Sequence, residues 1–146
     1  IKQLVIAASF LRRPSNLTKL RKLLPIGLLK KGILPKTVIN HLAFGNKASE
    51  ELISLFYGVL EEVDASMIKH RLEVIHHLNS GNAQLKMPCL YVSAKRDYLI
   101  HRSNYRDFKR VCPDFDYVEI DGVHFLVQSN PEFLARLINT QLTNPR

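Results

Sequence analysis

A histidine on a connector is better placed to exchange protons than one packed inside a helix or strand, and His124 is such a residue. It stands in DGVHFLVQSNPEFLARL, residues 121 to 137, on a Gly-containing segment between a strand pattern and a capped helix pattern. Asp97 stands on a second connector, KRDYLI, three residues past the run LYVSA, and His124 is four residues past YVEI. If these runs are adjacent parallel strands, both connectors emerge on one rim. A carboxylate there accepts a hydrogen bond from one imidazole nitrogen, fixes the tautomer and stabilises the imidazolium, leaving the other nitrogen to take a proton from a nucleophile. That makes two of the three members of a hydrolytic triad. The rival acids are Asp121, three residues before the histidine, and Asp116, at the start of the last strand.

Such a rim requires an α/β sheet, and the sequence predicts one. LVIAASF at 4 to 10 is a near-continuous apolar run, the pattern of a strand covered on both faces. PCLYVSA at 88 to 94 and DYVEI at 116 to 120 read as further strands. Between them Tyr105, Phe108 and Val111 mark a short helix after Ser103, and Phe133, Leu134, Leu137, Ile138 and Leu142 mark a closing one. Ser129 and Glu132 have capping-box spacing around Pro131. Alternating strands and helices imply parallel pairing with right-handed crossovers, and sites in such sheets collect at the carboxyl ends of the strands. The first strand begins almost at Ile1 and needs neighbours that so short a preceding segment does not supply, so the chain is expected to start in mid-fold.

From Pro14 to about Gly81 the pattern is helical, punctuated by Pro25, Pro35 and Gly45. Leu17, Leu20, Leu23 and Leu24 follow a Ser15 cap, and Val38, Ile39, Leu42 and Ala43 follow Pro35. Leu52, Ile53, Phe56, Val59, Leu60 and Val63 follow Ser49, and Ile68, Leu72, Ile75 and Leu78 follow Asp64. Amphipathic helices recurring without a strand between them read as one helical insertion that closes over something.

Composition excludes several classes. With 146 residues, 46% of them hydrophobic, the chain supports one core and not two. Cys89 and Cys112 have neither disulfide-scaffold nor zinc-ligand spacing, which points to a reducing, cytoplasmic compartment. The adjacent His76 and His77 point about 100° apart on a helix and do not chelate together. No apolar run reaches the roughly 20 residues that cross a bilayer, and no signal peptide is visible. The net charge of +8 is uneven: residues 1 to 49 carry ten Lys and Arg and no acid, while the remainder carries eleven bases and thirteen acids. Such a segment attracts a polyanion, an anionic lipid or an acidic protein, or simply solvates one face. Nucleic acid is disfavoured, because Phe10 and Phe44 are the only aromatic residues accompanying the charge.

MPCLYVSAKRDYLI followed by FDYVEIDGVHFLVQSNPEFLARLI resembles the C-terminal end of the α/β-hydrolase fold: a strand, a turn with the triad acid, the last strand, a Gly-containing loop with the triad histidine, and a closing helix. The common forms are G-x-x-D and G-x-G-H-F. This chain has Ala94 in place of the first glycine, and Asp121-Gly122-Val123-His124-Phe125 for the second motif. The resemblance implies that Asp97 and His124 are the catalytic acid and base, that KQLVIAASF is the strand after the nucleophile helix, and that residues 14 to 81 are the lid.

It also implies a nucleophile elbow, G-x-S-x-G, ahead of the strand at 4 to 10. No such motif occurs in these residues, and Ser9 fits none. The expected function is therefore the C-terminal part of a serine hydrolase, most directly a carboxylic-ester hydrolase, with no cofactor and no metal. Its substrate would be an ester or acyl group, on an anionic carrier as in the carrier-protein methyl ester esterases. Haloalkane dehalogenases and peroxidases share the fold. The expected partner is the missing N-terminal half, in the same or a separate chain. The alternative is a non-catalytic half-fold, a binding or assembly module that self-associates through the strand at 4 to 10.

Overall fold

Three parallel strands form the sheet, in the order β1-β2-β3: β1 (Leu4–Ala7), β2 (Cys89–Ala94) and β3 (Phe115–Ile120). The computed structural model describes residues 3–15, 35–79 and 84–143. β2, where PCLYVSA reads as a strand, is central and every one of its residues is buried. Its side chains alternate between two layers, as the two-residue period of a strand requires. Cys89 and Tyr91 join Ile6 on one face and pack on Phe108, Val111 and Cys112. Leu90, Val92 and Ala94 join Ile120 on the other and pack on Leu126 and Leu134. Burial of each large apolar side chain here is worth about 1.5–3 kcal/mol.

The helices that supply those layers are α4 (Tyr105–Val111) on one side, and α5 (Leu126–Ser129) with α6 (Pro131–Thr143) on the other. A single 3₁₀ turn, Arg102–Asn104, leads into α4, and the His101 ring accepts the Ser103 N–H at 3.3 Å. Two expectations change here. Ser129 does not cap α6: it is the last residue of α5, its hydroxyl accepts from Asn130 Nδ2 at 3.0 Å, and it is Asn130, directly before Pro131, whose carbonyl accepts the Leu134 N–H at 3.1 Å. On α6 only Leu134 and Leu137 turn inward, while Phe133 and Ile138 face solvent; the side chain of Leu142 lies outside the described residues.

β1 is shorter than LVIAASF suggests. Ala8 has a φ of +40°, which L side chains rarely adopt, and the strand stops there with one last hydrogen bond, Ala8 N–H to Val92 O at 3.0 Å. Among the described residues β1 has one neighbour, in the register Leu4↔Cys89 to Ala7↔Val92.

Between β1 and β2 lies the helical insertion. Its base is closed by an isolated antiparallel bridge, Arg12↔Asn79. α1 (Lys36–Ile39) runs directly into a π-helical turn, Asn40–Phe44, where the sequence periodicity predicted an ordinary α-helix. Gly45 ends it at φ +63°, the left-handed conformation glycine adopts without strain. α2 (Glu50–Glu62) is capped by Ser49, which accepts from Leu52 N–H at 3.2 Å, and α3 (Ala65–His77) by Asp64, which accepts from Ser66 N–H at 2.6 Å. The buried face of α2 carries Ile53 and Tyr57, with Leu52, Phe56 and Leu60 beside them; Val59 points outward. The α3 stripe Ile68, Leu72, Ile75 and Leu78 is half-buried, and no residue of this helix is fully buried. The predicted helix with Leu17, Leu20, Leu23 and Leu24 lies outside the described residues.

Candidate active site

The turn after β2 is built around Asp97. Its Oδ1 accepts two backbone N–H groups, from Leu99 and Ile100, each at 2.8 Å. A carboxylate that closes its own turn in this way is held in one orientation before any other side chain meets it. Ile100 anchors the far end of the turn in the core.

The same turn is stitched to the loop after β3. Lys95 N–H donates to Ile120 O at 2.9 Å and Arg96 N–H to Gly122 O at 3.1 Å, so the hydrogen bonding between β2 and β3 runs on past both strands. Gly122 is required by close approach: a Cβ there would lie 2.8 Å from Asn130 Nδ2 and 2.9 Å from Cδ2 of the buried Leu126. After this tight passage the loop presents His124 to Asp97.

His124 Nδ1 lies 3.0 Å from Asp97 Oδ2. The Asp97 side chain is 5% exposed and the imidazole 23%, so the acid is shielded while the ring keeps a solvent-facing edge. An ionised carboxylate only accepts hydrogen bonds, and Oδ1 is already occupied, so the geometry assigns a proton to Nδ1, and in the neutral ring the lone pair is then on Nε2. Among the described residues Nε2 has no hydrogen-bond partner. The pair can orient an imidazole, stabilise its protonated form and accept a proton at Nε2.

The rival acids are engaged elsewhere. Asp121 receives Arg96 Nη2 on both carboxylate oxygens, at 3.2 and 3.3 Å, on the exposed side of the loop. Asp116 belongs to β3 and pairs in register with Leu90.

Beside Asp97 opens a cleft of about 980 Å³ that reaches the acid but is not lined by His124; its walls include Arg12, Arg13, His76, Tyr98, His101 and Asp107. Its lining sets two bases, Arg12 and Arg13, against two acids, Asp97 and Asp107, with Asp107 3.5 Å from Arg12. Of the ten bases in the first third, Lys2, Lys19, Arg21, Lys22, Lys30 and Lys31 lie outside the described residues. Among the described residues no cluster of three or more His, Cys, Asp or Glu is arranged to hold a metal, and the His76 and His77 rings meet edge to face at 4.9 Å. No described helix is long and apolar enough to cross a membrane.

Beneath the rim, burial pushes the Tyr91 hydroxyl up to about 12, with the Asp97 charge adding to the shift; the hydroxyl donates to Ser9 O at 2.7 Å. Burial likewise raises the Cys112 thiol to about 12, helped by the neighbouring Cys89 thiol. Neither group ionises near neutral pH.

Sequence reasoning missed two features of the site. The Leu99 and Ile100 amides are backbone donors with no residue signature. The π-turn meets the histidine loop through Phe125, whose N–H donates to Ala43 O at 3.2 Å and whose ring stacks on Phe44 at 4.9 Å. The only sequence signal for that contact is Gly45-Asn46, which fixes where the turn must end.

No protein-family model and no curated protein matches this sequence. Solved structures do match. An enol-lactonase from Burkholderia xenovorans LB400 superposes with a TM-score of 0.71 at 15% identity, over 99% of this chain and 57% of its own. An esterase from Exiguobacterium antarcticum gives a TM-score of 0.74 at 10% identity, over 98% and 57%. A bromoperoxidase from Bacillus anthracis gives 0.72 at 11% identity, over 99% and 59%. The chain thus spans little more than half the length of these structures. Their shared architecture, with the strand order and the closing helices described above, identifies the fold of this chain as the C-terminal part of the α/β-hydrolase fold.

Proposed function

We propose that this chain is the C-terminal part of a serine hydrolase that cleaves carboxylic esters, with His124 as the proton shuttle and Asp97 as the acid that orients it. The observation that carries the reading is the 3.0 Å contact between His124 Nδ1 and a shielded carboxylate, at the ends of adjacent parallel strands. In the reaction a serine outside these residues attacks the acyl carbonyl as Nε2 takes its hydroxyl proton. The imidazolium then gives that proton to the departing alkoxide, and water repeats the cycle on the acyl-enzyme. Asp97 keeps Nδ1 protonated throughout and does not itself take the proton.

The serine and the oxyanion donors come from an N-terminal half, in the same or a separate chain, that extends the sheet from the outer side of β1. Residues 14 to 81 act as the lid and shape the acyl site, and their basic segment receives an anionic carrier of the acyl group. No cofactor takes part. The buried free thiols Cys89 and Cys112 suit a reducing cytoplasm.

The test is p-nitrophenyl ester hydrolysis by the native protein, with its intact mass measured before and after a serine-directed phosphonate. Turnover abolished by the phosphonate, with the adduct on a larger or co-purifying chain, is the expected result. A lone 16.8 kDa species that neither turns over ester nor takes up phosphonate overturns the reading and leaves an assembly module.

A further inference from the structure

We propose that the π-turn Asn40–Phe44 is a latch that holds the His124 loop in register with Asp97, and that Phe44 and Phe125 are positioning residues for the histidine. The inference rests on the reading of His124 as the proton shuttle and adds what keeps it in place.

His124 sits between two residues that are each fixed by the helical insertion. On one side, the Val123 side chain packs against Gly45, with Cγ2 3.4 Å from where a Cβ would stand. On the other, Phe125 N–H donates to Ala43 O at 3.2 Å, and the Phe125 ring stacks on Phe44 at 4.9 Å and 16°, with Phe56 edge-on at 6.3 Å. A further tie, Lys47 Nζ to Asn130 Oδ1 at 3.1 Å, joins the residue just after α5. Apart from Phe56 on α2, these contacts come from a single short segment, residues 43 to 47, and those at Val123 and Phe125 bracket the histidine.

The hydrogen bond has a clear origin. The last carbonyls of a helical turn and the first N–H groups of the next helix have no partner within their own helices. Ala43 O belongs to the end of the π-turn and Phe125 N–H to the N-cap of α5, so each satisfies the other. A π-turn is uncommon and frequently marks a functional position. Here it delivers Phe44, 2% exposed, into the cluster with Ile53 and Tyr57 against which Phe125 packs.

The imidazole is therefore held at its ring by Asp97, from the sheet, and at its backbone by the insertion. Displacing the insertion frees the 121–125 connector and lets the ring leave the Oδ2 acceptor.

The test is the imidazole ¹⁵N spectrum of His124 in the native protein and in Phe44→Ala, Phe44→Leu, Phe44→Tyr and Asp97→Asn. The native ring is expected to show one tautomer, Nδ1–H. In Phe44→Ala the tautomer mixture should broaden, with the minor form rising by up to about tenfold, the most that one aromatic pair supplies. Phe44→Tyr should restore the native pattern. Phe44→Leu keeps the bulk and loses the flat ring, so it decides the matter where Phe44→Ala does not fold. A folded Phe44→Ala or Phe44→Leu variant whose His124 signals coincide with the native ones overturns the latch. Asp97→Asn separates the two ideas: if it leaves the tautomer unchanged, the Asp97–His124 reading fails, whereas a response to Asp97→Asn without one to Phe44 variants removes only the latch.

Discussion

Arg96 grips Asp121 by both carboxylate oxygens on the solvent side of the very loop whose histidine faces the shielded carboxylate of Asp97. Two acids thus flank one loop, and only Asp97 faces the imidazole. Asp97→Asn should lower kcat for ester hydrolysis by about 10⁴-fold, the cost of the wrong tautomer in a triad. Asp121→Asn breaks an exposed ion pair worth at most about 1 kcal/mol and should leave kcat within a factor of a few. Steady-state kinetics on the two variants check this, and equal losses would reassign the orienting acid.

Gly122 faces a second, purely steric demand. Gly122→Ala places a methyl group within 2.9 Å of Leu126 Cδ2, a side chain that is 2% exposed and has little room to yield. Overpacking of this kind costs about 1–3 kcal/mol. Calorimetry should record a lowered Tm; an unchanged Tm would mean that the loop relaxes and that glycine is dispensable there.

Stability should fall on the alkaline side. In the unfolded chain Cys112 ionises near 9.0 and Tyr91 near 10.0, while the folded chain holds both to about 12. Between those values the unfolded state loses its protons first, so the stabilisation is complete below pH 9 and is lost as pH rises toward 12. Each group contributes a slope of about 1.4 kcal/mol per pH unit within its window. Urea unfolding at pH 8, 10 and 11 measures the decline. Tyr91→Phe should flatten it above pH 10, and an unaltered slope would place the titration elsewhere.

The same thiols should be silent in the native state. Cys89 and Cys112 are 2% and 1% exposed, and the raised Cys112 value leaves almost no thiolate at neutral pH. A disulfide-exchange reagent should label neither until urea unfolds the chain, then both. Fast native labelling would show that the core opens locally.

Much of this was legible in the residues themselves, for physical reasons that differ between elements. β2 was readable because a strand buried on both faces reads as a nearly continuous apolar run, and CLYVSA is interrupted only by Ser93. Asp97 and His124 were readable because strand ends and connector chemistry fix their positions along the chain. The end of β1 was not, since nothing in Ala8 announces a φ of +40°. Tyr57 escaped the α2 stripe because its hydroxyl reads as polar, although it is 7% exposed. The π-turn was invisible because a 3.6-residue periodicity describes the α-helix and carries no signal for an inserted residue. Ser129 misled for a similar reason: its capping spacing is real, but a preceding helical turn had already claimed it.

The pairing of β1 with β2 joins residues separated by the entire helical insertion, from Leu4 to Cys89. Contacts between such distant segments are slow to form, because the chain between them must close before the strands reward it. The Arg12↔Asn79 bridge pinches that excursion at its base, so the sheet needs only the short flanks on either side to find their register.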